Sequence, residues 1–249
     1  MKFSDNYLEC EIRFAEGNRK DFFRRILKTI KANPECYLYN HEDSSEKGSF
    51  QVNFITSKEH AVDAAFELVA IATEMLDLRE HKSKRLRLGA TDTLHFAPIK
   101  GIDLATCSDL ALALGNRVAL ELSIPVYLFG EAAARDERKE LDEVRFGEFS
   151  FSQLEESIKA TENKPDIGEA ILHPSAGAIA IGARGAKRAS ASDIAWLLDG
   201  IKLRSDLLEF RPERKSTHIP TKIKGYAKSA GVIIFSSIRS TVISRGLPW

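Results

Sequence analysis

Residues 1–184 predict an α/β (α+β) sandwich, a ferredoxin-like mixed sheet with helices on one face, and a short, poorly specified C-terminal segment follows. Three observations carry this expectation. Short apolar runs alternate with stretches of helical period in the order strand, helix, strand, strand, helix, strand, helix, strand. Each helical stretch shows one apolar stripe, as a helix lying on a sheet does. The breaks between them fall at Gly, Asn and Pro, the residues that turn a chain.

Residues 8–14 read as a strand, which Glu16, Gly17 and Asn18 break while offering a turn and a helix cap. From 20 to 31, Phe22, Phe23, Ile26, Leu27 and Ile30 recur at helical spacing with Lys and Arg opposite, and Asn33-Pro34 stops the run. Residues 36–39 and 49–55 read as two strands joined by the polar run 40–48. Ser57 is expected to cap a longer helix, whose apolar set Val62, Ala65, Phe66, Val69, Ala70, Ala72 and Leu76 carries it to Leu78. Residues 87–99 are mostly extended, Asp103 caps a helix reaching Leu122, and 124–129 is the next strand.

A charged surface helix is expected over 132–142, and a helix with a linker over 150–165. Residues 165–168 and 173–184 are dense in Pro, Gly and small side chains. Such a segment is either a packed turn or backbone that comes close to a ligand. The domain boundary falls near Gly185, with one domain over 1–184 and a divergent or truncated region over 185–249. In that region 193–203 suggests a helix and 232–243 a strand pair.

With 249 residues, 43% of them hydrophobic, the chain can bury one large core or two modest ones. Its formal charge is zero but unevenly placed: from Gly185 onward there are 12 Lys and Arg against 5 Asp and Glu. A basic tail on an acidic body can fold back or reach for an anionic partner. Cys10, Cys36 and Cys107 lie far apart with no Cys-x-x-Cys pair, and no secretory leader follows Met1. A reducing, cytoplasmic setting without a metal site is expected. The apolar run 230–238 is far shorter than the ~20 residues of a membrane span, so no crossing is expected.

The most basic short segment is 79–87, where Arg79, Lys82, Lys84, Arg85 and Arg87 face one acid, Glu80. Such crowding asks for water or for an anionic ligand. The stretch 81–92 resembles the His-Lys-Gly-Glu-His-Pro-Arg-x-Gly-Ala-x-Asp signature of the glutamate formimidoyltransferases, with His81, Lys82, Arg87, Gly89, Ala90 and Asp92 matching. Other segments resemble the same family in order and spacing. These are the opening Glu9-Cys10 to Phe14-Ala15-Glu16-Gly17, then Pro125-Val126-Tyr127-Leu128-Phe129-Gly130-Glu131-Ala132-Ala133. Pro165-Asp166-Ile167-Gly168 follows, then His173-Pro174-Ser175-Ala176-Gly177 and Gly182-Ala183-Arg184.

The resemblance implies transfer of a formimino group from N-formiminoglutamate to tetrahydrofolate, in histidine degradation and one-carbon metabolism. It implies folate or substrate contacts at Glu42, Arg87, Asp92, Phe129, Gly168, His173, Pro174, Ser175, Gly177 and Arg184. It also implies a homodimer as the family default and no metal. Four departures stand out. Ser83-Lys84-Arg85-Leu86 replaces the family's Gly-Glu-His-Pro, so Arg85 occupies the general-base position; Gly48-Ser49 replaces an Asn-Arg pair; Phe129 replaces a tyrosine; and Glu11, Ile12, Arg13 and Ala15 depart from the opening motif. The family continues with a second α/β subdomain forming the other wall of the folate cleft. Residues 185–192 do not read as its first strand.

A guanidinium stays protonated at working pH, so Arg85 is not expected to act as a base, although it can pair with a carboxylate. His81 is the weak substitute, while His41 and His95 read as loop and strand residues. The resemblance thus implies either a working transferase or a non-catalytic folate-binding relative that acts through a protein partner. A third class, nucleic-acid binding, lacks aromatic residues interleaved with Lys and Arg on the strands and is disfavoured.

Overall fold

The computed structural model describes residues 6–80, 87–144 and 150–185. His81, Arg85, the 193–203 helix and the 232–243 strand pair lie outside the described residues. The elements run β1 (Tyr7–Phe14), α1 (Lys20–Ala32), β2 (Cys36–Ser44), β3 (Ser49–Ser57), α2 (Ala61–Met75), β4 (Thr91–Lys100), α3 (Leu104–Leu122), β5 (Val126–Gly130), α4 (Leu141–Val144), α5 (Phe151–Ser157) and β6 (Ile179–Ala183).

The six strands form one mixed sheet in the order β2-β3-β1-β4-β6-β5. The first four pair antiparallel, β1 between β3 and β4, which is the ferredoxin-like arrangement expected. β6 then slots between β4 and β5, parallel to both.

Alternation along β1 sorts the two faces. Leu8, Cys10, Ile12 and Phe14 are fully buried toward the helices. They join Phe22, Phe23 and Ile26 of α1, Leu68 and Val69 of α2, and Leu114 and Val118 of α3 in one core. Its aromatic centre is tight, with Phe14 edge-on to Phe22 at 5.1 Å and Phe23 stacked on Phe50 at 4.3 Å. Asp103 starts α3 as expected, its carboxylate accepting from the Thr106 N–H at 2.8 Å.

The three long helices cover one face. The short α4 and α5 cover only the β5 and β6 end of the other, where Val144, Leu154 and Ile158 cluster with Tyr127, Phe129 and Ala180. Over β1 and β3 that second face is polar.

Several expectations need correction. The 40–48 run is not all loop, because β2 continues to Ser44. β2 is an edge strand held by its backbone ladder to β3, so exposed His41, Glu42 and Asp43 cost it nothing. Ser57 ends β3 and does not cap α2; the cap position is His60, whose Nδ1 lies 2.8 Å from the Ser57 hydroxyl. α2 stops at Met75, and Leu78–Glu80 forms a separate 3-10 turn.

The continuous helix expected over 132–142 is a 3-10 turn at Asp136–Arg138 followed by α4. Arg138 breaks it by turning inward: its guanidinium is buried on Asp166 at 2.8 Å and donates to the Glu162 and Lys164 carbonyls. β6 was not anticipated as a strand. It is buried on both faces and built of Ile, Ala and Gly, so it carries no alternation to read.

Phe22→Ala should lower the free energy of unfolding by about 3–5 kcal/mol, since a fully buried aromatic is replaced by a cavity. Urea denaturation would show this as a lower midpoint with an unchanged slope.

Candidate functional site

The described residues place the family-like positions in two groups. The first surrounds the stems of the 81–86 segment. On the upstream side the Leu78 N–H donates to the Ser175 carbonyl at 2.7 Å. On the downstream side Ala90 N–H donates to Ala176 O, and Ala178 N–H to Leu88 O, both at 2.8 Å. Both stems are therefore stitched to the same 173–178 turn.

Two glycines permit the approach. A Cβ on Gly89 would collide with the carbonyls of Ala176 and Ala178, while Gly177 takes φ +71° with the Leu88 carbonyl 2.6 Å from where its Cβ would stand. The turn also closes on itself: His173 and Gly177 exchange backbone hydrogen bonds of 3.0 Å, and the His173 Nδ1 accepts from the Ala176 N–H at 3.0 Å. Burial holds the His173 imidazole below its ordinary pKa.

Arg87 and Asp92 belong to this group but point at each other. Their ion pair is 3.2 Å, with side chains only 5% and 0% exposed. Arg87 also donates to the Lys47 carbonyl at 2.8 Å, and Asp92 accepts from the Leu88 N–H at 3.1 Å. The pair ties the downstream stem to the β2–β3 hairpin. Glu42 sits farther out on the same hairpin, 3.8 Å from the Lys47 ammonium and largely exposed.

The second group lies on the same side of the sheet as the polar residues, at the β5 and β6 end that α4 and α5 cover. Phe129 and Arg184 meet there, the guanidinium 4.9 Å from the ring centroid. Gly182, beside Phe129 on β6, leaves room for the ring, which would stand 2.8 Å from a Cβ at that position. Gly168 joins neither group. At φ +88° it turns the chain against Ala119 of α3 and Pro125, toward the helices.

Sequence reading missed a polar network on this face. Asn53 donates through one amide nitrogen to Glu9 at 2.8 Å and to Glu11 at 3.1 Å. Gln51 donates to Asn53, Arg13 to Gln51, and the Tyr39 hydroxyl to Glu9. Burial, and then the Glu9 carboxylate, push the Tyr39 phenol well above its ordinary pKa. The readable signal was Glu9-x-Glu11-x-Arg13 in a strand flanked on both sides. Charges at every second position of an interior strand mark a sheet face that is not packed by apolar residues.

The thiols offer no nucleophile, since burial pushes Cys36 up to about 11 and Cys107 up to about 12. Among the described residues there is no group of three or more His, Cys, Asp or Glu able to hold a metal ion, and no helix long and apolar enough to cross a membrane.

These features define an α+β domain with a ferredoxin-like core, roofed by helices on one side and carrying an ordered array of ionisable groups on the other. Residues 7–184 match the model of the formiminotransferase domain, N-terminal subdomain, and the chain belongs to that family. Over 177 residues, 71% of this chain, it is 37% identical to the glutamate formimidoyltransferase of Thermoplasma acidophilum, covering 58% of that protein. It is 32% identical to the glutamate formimidoyltransferase of Streptococcus pyogenes serotype M1, again over 58% of its length. It is 35% identical to the formimidoyltransferase-cyclodeaminase of Rattus norvegicus, of which it covers 32%.

Arg87→Ala should cost about 3–5 kcal/mol of stability, because Asp92 is left charged and buried without its guanidinium. The double change Arg87→Met with Asp92→Leu should recover most of that loss in urea denaturation. For His173 the folded pKa lies below the unfolded value near 6.5. Its contribution to stability is therefore complete above 6.5 and is lost as pH falls through the folded pKa, because the unfolded chain takes up the proton first. An NMR titration should find this imidazole protonating below 6.5, and His173→Asn should flatten that part of the stability profile.

Proposed function

We propose that this chain supplies the N-terminal wall of a formimidoyl-transfer site and binds tetrahydrofolate and N-formiminoglutamate against its polar sheet face. What supports the reading is the meeting of Arg184 and Phe129, two family-like positions, on the one face of the sheet that carries ordered charges. The array suits the ligands. Glutamate carboxylates pair with a guanidinium in a two-pronged fashion.

The transfer removes one proton from N5 of the folate and returns one to the departing glutamate nitrogen, so the site needs a group that both accepts and donates near neutral pH. Arg85 cannot do so, and its use under this reading is to hold a substrate carboxylate near the 81–86 segment. Arg87 and Asp92 set the downstream stem of that segment, and His173, Pro174, Ser175 and Gly177 belong to the turn that holds its two stems. Both groups act as supports. The reading places the chain in histidine breakdown and one-carbon metabolism, in the cytoplasm, with a homodimer carried over from the family resemblance.

Arg85 at the general-base position favours one second reading, a relative that binds folate without turnover and acts through a protein partner. Calorimetric titration with tetrahydrofolate, followed by a transfer assay with N-formiminoglutamate, separates the two. Binding with turnover supports the transferase; binding alone supports the regulatory relative; absence of binding overturns both. Arg184→Ala should weaken the binding of whichever ligand carries the carboxylate about 10- to 100-fold, the worth of one charge-assisted hydrogen bond.

A further inference from the structure

Strand register brings together on the polar face four groups that stand apart in sequence. Glu11 of β1 is the direct antiparallel partner of His95 on β4. His95 in turn pairs with Gly182 of β6, and Gly182 with Phe129 of β5. Because Gly182 has no side chain, the Phe129 ring leans into the gap and meets the imidazole edge-on at 6.2 Å and 71°. The Arg184 guanidinium, two residues after Gly182 in the chain, lies 4.9 Å from the centroid of the same ring. The row therefore reads carboxylate, imidazole, aromatic ring, with the guanidinium beside the ring.

Two properties make this more than an ordinary strand histidine. His95 is only half-buried, although β1 and β6 flank its strand on both sides, so part of the residue stays exposed on the polar face. Its carboxylate neighbour is fixed: Glu11 Oε2 accepts from Asn53 at 3.1 Å, and Oε1 lies 3.8 Å from the Arg13 guanidinium. A directly opposed pair on one sheet face has its Cβ atoms about 5 Å apart, close enough for a carboxylate to orient an imidazole. Glu11 and Arg13, both departures from the family's opening motif, are the residues that build this support.

We propose that His95, backed by Glu11, is the proton carrier of this site and does the work that Arg85 cannot do at the 81–86 segment. The proposal rests on the transferase reading above. As N5 of the folate forms its bond to the amidine carbon, the N5 proton passes to the imidazole. When the bond from that carbon to the glutamate nitrogen breaks, the imidazolium returns the proton to the leaving nitrogen. The imidazole is restored, glutamate departs with its amine, and no oxidant or reductant enters. Arg184, beside the Phe129 ring, receives the carboxylate. Among the described residues, the charged and titratable groups on the face that His95 shares include Glu9, Glu11 and Arg13 from β1, Tyr127 from β5 and Arg184, which follows β6.

The test uses the full chain, a transfer assay across the neutral pH range, and tetrahydrofolate calorimetry on each variant. His95→Gln should lose at least about 100-fold in kcat while binding tetrahydrofolate within about threefold of the wild type. Glu11→Gln should bind tetrahydrofolate as the wild type does, keep its KM and lose part of its kcat, because the imidazole loses the carboxylate that orients it. His60→Gln, on the helix side of the sheet, is the control that should leave both unchanged.

A His95→Gln variant with the wild-type kcat and pH profile overturns the assignment of His95 alone. A wild-type chain that binds tetrahydrofolate but transfers nothing overturns the transferase reading itself and the proton carrier with it. Should His95→Gln fold poorly, NMR on the wild type decides. Imidazole signals of His95 that move on adding tetrahydrofolate support the proposal, and signals that stay put overturn it.

Discussion

The closest constraint in the molecule is the crossing of two backbones at Gly89 and Gly177, where no side chain larger than hydrogen fits. Three hydrogen bonds to the 173–178 turn, one before and two after the basic segment, fix where that segment leaves and rejoins the fold. The same crossing sets the entry point of β6, which begins two residues after Gly177 and has to lie between β4 and β5. Without that insertion Arg184 would not reach Phe129, and Gly182 would not open the gap into which the ring leans. The proposed site and the sheet are thus consequences of one close approach.

The two faces of the sheet solve different problems. Toward the helices the cross-strand neighbours are aliphatic and aromatic, and burial supplies the stability. On the other side the neighbours are Glu9, Glu11, Arg13, Gln51 and Asn53, which satisfy one another through side-chain hydrogen bonds. A network in which each member is partnered holds its atoms in place, whereas isolated charges there would be mobile or strongly destabilising. Two buried ion pairs, Arg87 with Asp92 and Arg138 with Asp166, act differently, as pins where irregular backbone has to be held down.

The elements legible in the sequence were those with a strong period or a defined cap. β1, α1 and α3 were found because apolar spacing and Asp103 mark them. β6 escaped because a strand covered on both faces needs no alternation, and its small residues read equally well as a turn. The outer half of β2 escaped because an edge strand takes its order from its neighbour's backbone, which side chains do not announce. For the proposed site, motif resemblance pointed to the stems of the 81–86 segment and to the Phe129 and Arg184 positions. It could not show that Arg87 and Asp92 face each other, nor that His95 lies opposite Glu11, because those facts belong to strand register and not to spacing along the chain.

The placement of β6 also governs how the chain assembles. It is the last of the described strands to be synthesised, yet it occupies an interior position, some 80 residues beyond its β4 neighbour. As the chain emerges from the ribosome, β1 to β4 can pair locally, but β5 has no seat until β6 arrives, and α3 crosses a gap in the sheet. Parallel pairings of long sequence separation form slowly and late. Until residue 183 is available, Leu94 and Leu128 line an unfilled slot with open ladder hydrogen bonds on either side. Nascent or truncated chains that stop short of β6 would therefore be sticky intermediates, the species on which chaperones act.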